Sequence, residues 1–124
     1  MTVLTFASRF ARLVESGAKP HTIRGERKRP IKVGDQLSLR EWTGRPYGSP
    51  QRILRETTCS AVQPIMIRRS LGRTHIALDG VMLTPDQAEA FAQADGFGSV
   101  FELLLWFSEH GELPFNGWLI RWQP

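Results

Sequence analysis

The chain has 124 residues with 16 Lys and Arg against 12 Asp and Glu, a formal charge of +4, enough for a single domain (1–124) with a core of its own. A single cysteine, Cys59, excludes an internal disulfide framework, and three scattered histidines (His21, His75, His110) give no zinc-ligand spacing, so neither a metal nor another cofactor is expected. The longest apolar run, Leu103 to Phe107, is too short to cross a bilayer, and Met1 to Phe10 lacks the pattern of an export leader; a cytoplasmic domain with no membrane partner is expected.

Thr2 to Phe6 predicts a short strand. Ser8 then suits the cap of a helix whose Phe10, Leu13 and Val14 fall at helical spacing, with Gly17 supplying the left-handed residue past its last turn. Pro20 stops any continuation, and Thr22-Ile23-Arg24 favours extended chain. A charged loop, Gly25 to Pro30, leads to a turn at Gly34-Asp35 and a strand with Leu37 and Leu39 inward and Ser38 and Arg40 outward. Trp42 to Gln51, carrying glycines and prolines, predicts a long loop. Arg52 to Arg69 reads as strand, with Pro64 implying a bend or an edge, and Thr74 to Met82 as a hairpin turning at Asp79-Gly80.

Two helices follow with capping boxes at Thr84-Pro85-Asp86-Gln87 and Ser99-Val100-Phe101-Glu102, the second burying Val100, Leu103, Leu104 and Phe107. Asp95-Gly96 closes the first of them and Gly111 the second. Phe115 to Trp122 returns as a strand. This order predicts an α+β domain, a curved and mostly antiparallel sheet closing toward a barrel with about three flanking helices. Trp106, Trp118 and Trp122 are expected in the core.

The charge is unevenly spread. Through Arg73 there are 15 basic and 5 acidic residues, whereas Arg121 alone opposes 7 acids thereafter. Thirteen of the 16 basic residues are arginine, the side chain suited to bidentate phosphate contact, which points to an anionic partner such as a nucleoside derivative or RNA. A solvated charged face is the alternative. In the loop after Arg24, the residues Arg27, Lys28, Arg29 and Lys32 face only Glu26 and suit a phosphate-contacting lip. Trp42, near Arg45 and Tyr47, suits stacking on a base, or anchoring its loop.

The richest chemistry lies in Gly17 to Arg24, where Lys19, Thr22 and Arg24 bring an ammonium, a hydroxyl and a guanidinium to a helix–strand junction. Amide hydrolysis needs a nucleophile, a base and an acid. A threonine serves as nucleophile when a nearby lysine is neutral, and burial beside Arg24 lowers a lysine toward that state. Each residue also has a plain structural role: Lys19 complements a helix dipole, Thr22 is an ordinary strand residue, and Asp95-Gly96 is an ordinary helix-ending turn. In a fully extended chain Lys19 and Thr22 would face opposite ways, so Pro20-His21 must turn the chain. His21 suits a base or a simple strand residue.

The spacing Gly17-x-Lys19-x-x-Thr22-x-Arg24 resembles the N-terminal motif of the ASCH family, whose domains are related to PUA RNA-binding barrels. The resemblance continues at Lys32-Val33-Gly34-Asp35, at Asp95-Gly96-Phe97 and along Phe115 to Trp122, in the same element order. It implies a PUA-like barrel that recognises a nucleobase, free or within RNA. A small bacterial branch of the family hydrolyses acetylcytidine, and other members are linked to RNA binding or cleavage. Carried over, it makes Lys19, Thr22 and Asp95 catalytic, with Asp95 standing where that branch has glutamate, and the Trp42 to Gln51 loop is an addition. Arg24, Arg27, Lys28, Arg29, Trp42 and Arg45 become contacts to substrate or nucleic acid. A hydrolase (amidohydrolase or ribonuclease), a non-catalytic RNA-binding module and a protein-interaction domain of undefined oligomeric state are the functions this leaves.

Overall fold

A computed structural model describes all residues, 1–124. It contains seven strands and three helices in the order β1 (Thr2–Thr5), α1 (Ser8–Ser16), β2 (His21–Arg24), β3 (Gln36–Trp42), β4 (Gln51–Ser70), β5 (Arg73–Leu78), β6 (Val81–Met82), α2 (Pro85–Ala94), α3 (Val100–His110) and β7 (Phe115–Trp122). The expected α+β class holds, and the sheet is mixed: β1 runs parallel to β3 and every other pairing is antiparallel.

β4 organises the sheet. Its first half pairs with β3, and its second half pairs with β7 on one side and β5 on the other. Register shifts between Leu39 and Arg40 and between Cys59 and Ala61 break those ladders. An extra residue on one strand bends it and increases its twist, which lets one 20-residue strand serve two differently directed parts of the sheet. Pro64 lies within this continuous strand. Its carbonyl accepts the Asp79 N–H at the end of the β4–β5 ladder, where β5 has already turned away and a missing donor breaks no pairing.

The strands run in the order β1-β3-β4-β7-β2, with β5 and β6 branching from β4. β1 and β2 pair only with β3 and β7 respectively, so the predicted barrel is not formed. A gap separates β1 from β2. Arg24 reaches across it and donates Nη2 to the Thr5 carbonyl at 2.8 Å, so a side chain bridges the two elements where strand pairing would close them.

The core gathers inward residues from both parts of the sheet, among them Leu4, Leu37, Leu39, Ile67, Ile76, Leu119 and Ile120, against the apolar stripes of the helices. α1 contributes Phe10, Ala11 and Val14; α2 contributes Ala88, Phe91 and Ala92; α3 contributes Leu103, Leu104 and Phe107. Burying each large side chain of this kind is worth about 1.5–3 kcal/mol.

Several local expectations are corrected. Ser8 is the first helical residue and Ala7 the N-cap, without a side-chain cap. Thr84 and Gln87 form the reciprocal box, but Glu102 accepts from the Gly98 N–H, one residue before Ser99. Ser38 is fully buried and accepts from Arg40 Nε. The loop between Trp42 and Gln51 is present as expected, closed by the Thr43 N–H and hydroxyl on the Pro50 carbonyl. Trp122 is in the core as expected, whereas Trp106 and Trp118 are only half-buried at its margin.

Candidate functional site

The gap between β1 and β2 opens into a cavity of about 200 Å3 lined by Thr5, Phe6, Ala7, Phe10, Lys19, Thr22, Ile23, Arg24, Asp95, Phe97, Trp106 and Phe107. Lys19, Thr22, Arg24 and Asp95 thus converge, as their sequence positions alone could not establish. α1 ends at Gly17, whose φ of 88° only glycine adopts readily, and the Lys19 N–H then returns to the Leu13 carbonyl. This closure holds Lys19 before the strand begins. Thr22 and Arg24 follow at alternate positions of β2, on one face.

Asp95 arrives from the other end of the chain as the residue that closes α2. Lys19 Nζ lies 2.7 Å from Asp95 Oδ1 and also donates to the Asp95 carbonyl. His21 Nδ1 stands 2.9 Å from the same Oδ1, its ring stacked on Phe91 with centroids 5.1 Å apart. Lys19 and Asp95 are each 3% exposed and His21 2%, so this is a buried, hydrogen-bonded cluster. Asp95 Oδ2 accepts no bond and is not occluded, which leaves it facing the cavity.

Burial pushes the Lys19 amine below its ordinary range against the raising effect of Asp95, with Arg24 and Arg9 adding like-charge repulsion. Burial likewise lowers the Arg24 guanidinium, to about 10, with Arg27 contributing in the same direction. Arg24 Nε donates to Thr22 Oγ1 at 3.2 Å, fixing the hydroxyl at the cavity wall. Lys19 and Thr22 share the cavity without a hydrogen bond between them.

The cavity walls are aromatic. Phe10 meets Phe97 and Trp106 edge-on at 5.4 and 5.3 Å, and Arg9 lies over all three rings at 4.8 to 5.8 Å. Gly96, with φ of 100°, lets Phe97 turn inward. A side chain there would place its Cβ 2.9 Å from Phe10. From the sequence, Trp106 is expected in the core and His21 as a base or a simple strand residue. Trp106 adjoins the Leu103, Leu104 and Phe107 stripe of α3 without belonging to it, which was the available signal of a margin position.

The expected rim is differently built. Trp42 does not cover the cavity; its ring packs on Tyr47 with centroids 5.1 Å apart, in the same hairpin end as Arg45. The strands β3 and β4 carry that hairpin on their own ladder, so loop length did not bring it over the site. Arg27 lines a separate cleft of about 120 Å3 beside Trp118, whose indole donates to Glu26 at 3.1 Å. Lys28 and Arg29 are exposed on the same loop and line neither space.

No cluster of three or more His, Cys, Asp or Glu side chains has the arrangement of a metal site. No helix is long and apolar enough to cross a membrane. Compared with protein-family models, with curated proteins and with solved structures, the chain matches nothing.

Proposed function

We propose that the cavity recognises a nucleobase and hydrolyses an exocyclic amide on it, in an ASCH-type, PUA-like domain. One observation carries this reading: four polar groups, drawn from positions as far apart as Lys19 and Asp95, converge on the floor of an aromatic-walled space large enough for a planar ring. Aromatic walls with a few fixed polar groups are the usual form of a site for a flat heterocycle.

The reaction follows from the hydrogen bonds present. A neutral lysine amine has two N–H groups and one lone pair, and Lys19 directs two bonds at Asp95. In that form its lone pair is free for the Thr22 proton, received directly or through water. Thr22 Oγ1 then bonds to the acyl carbon, the C–N bond breaks, and Lys19 returns the proton to the leaving nitrogen. Water hydrolyses the resulting threonine ester and releases the carboxylic acid. Asp95 orients Lys19, and His21 orients Asp95.

Purified protein incubated with acetylcytidine should release acetate, and Thr22→Ala should reduce the rate by about 100-fold or more while sparing ligand binding. Absence of turnover by the wild type overturns the hydrolase. The missing Lys19–Thr22 hydrogen bond favours a second reading, binding of a nucleobase or RNA without cleavage. That reading requires cytidine or RNA binding in the absence of turnover, insensitive to Thr22→Ala.

A further inference from the structure

Arg24 is the cationic group of the cavity that no carboxylate touches. Asp95 is the only carboxylate in the lining, and its Oδ1 is already shared by Lys19 and His21. Arg24 has no carboxylate within 4.0 Å. Its neighbours are a hydroxyl, a carbonyl and the Phe6 ring, 4.8 Å below the guanidinium. Arginine has five N–H donors, of which these contacts use two. Nη1 makes no hydrogen bond and is not sealed off, on a side chain that lines the cavity.

The surroundings add to the positive potential. Arg27 interacts repulsively with Arg24, and Arg9 with Lys19. Arg9 stands over the aromatic wall, with Glu102 of α3 as its acidic neighbour at 3.8 Å. A largely desolvated guanidinium whose counter-charge, Asp95, acts only from a distance is costly, and a ligand anion in contact offsets that cost while satisfying the idle donors as a pair.

We infer that the ligand of this cavity is an anion, its charged group held by the Nη1 side of Arg24 and its ring against the Phe10, Phe97 and Trp106 wall. For the nucleobase site proposed above, on which this choice of ligand rests, that means a nucleotide in preference to a neutral nucleoside.

Titration calorimetry with cytidine, cytidine 5′-monophosphate and benzoate tests this at low ionic strength. A charge-assisted pair of hydrogen bonds predicts that the monophosphate binds about 10- to 100-fold more tightly than cytidine. Arg24→Gln should abolish the difference, and Arg24→Lys should retain only part of it. If Arg24→Gln does not fold, the wild-type Arg24 Nε–H resonance carries the test, moving with the monophosphate and not with cytidine. Equal affinity for the two, or a preference that survives Arg24→Gln, overturns the anion site and leaves the nucleobase reading standing. Binding of benzoate alone, dependent on Arg24, supports the anion site and overturns the nucleobase reading. Binding of none of the three overturns both.

Discussion

Lys19 shows how one residue's surroundings set both its stability contribution and its chemistry. Its charged form loses hydration on burial, so its folded-state pKa lies below the ordinary 10.5. As pH rises, the folded protein gives up this proton before the unfolded chain does. Between the two values the unfolded state binds more protons, so stability rises with pH across that interval and the contribution is flat above 10.5. Urea unfolding at pH 8 and pH 10 should therefore show wild type gaining on Lys19→Met. A difference that stays constant or reverses would mean that Asp95 outweighs desolvation at this amine. The same shift makes the lone pair required of a general base accessible nearer to neutrality.

At the scale of elements, the site depends on how helices end. α1 ends at Gly17 and delivers Lys19; α2 ends at Asp95-Gly96 and delivers both the carboxylate and Phe97. Gly96 and Gly34 both have positive φ, 100° and 94°, but only Gly96 lies against packed side chains, those of Phe10 and Leu13. Gly34→Ala should cost about 1 kcal/mol of backbone strain, and Gly96→Ala about 2–3 kcal/mol because overpacking against Phe10 adds to it. Denaturant midpoints of the two variants measure the difference. A Gly96→Ala variant no less stable than Gly34→Ala would show that Phe10 yields without cost. The capping and turn residues that set these ends were legible in the sequence: Gly17, Thr84-Pro85 and Asp79-Gly80 each behave as local chemistry requires. Trp42 was not legible, because β3 and β4 zip up to Trp42 and Gln51 and carry the hairpin away on their own axis.

At the scale of the molecule, the sheet stays open between β1 and β2, and the candidate site occupies that seam. β4 has partners on both sides at Ile65–Ile67 and β7 at Trp118–Arg121, while β1 and β2 each have a single partner. Amide hydrogen exchange should therefore be slowest in β4 and β7 and faster along β1 and β2, and an occupant of the cavity should slow β2 selectively. Uniform protection across all four strands would mean that the seam opens only with global unfolding. The sheet also separates features that lie close in sequence. Arg24 and Arg27 are three residues apart yet line different spaces.

The sequence by itself determined the α+β class, most element boundaries and the local stops and turns, because these rest on side-chain periodicity and on φ preferences that act within a few residues. It also grouped Lys19, Thr22 and Arg24 by their spacing, whereas Asp95 entered that set only through a resemblance. Only the tertiary structure decided that the sheet stays open, that the aromatic wall is Phe10, Phe97 and Trp106 in place of Trp42, and that His21 belongs to the buried, hydrogen-bonded cluster. The physical reason is that these outcomes depend on contacts between distant segments. Asp95 meets Lys19 across 76 residues, and one bond from Arg24 to Thr5 spans the seam. Neither has a local signature, since desolvation and charge pairing act through space and not along the chain.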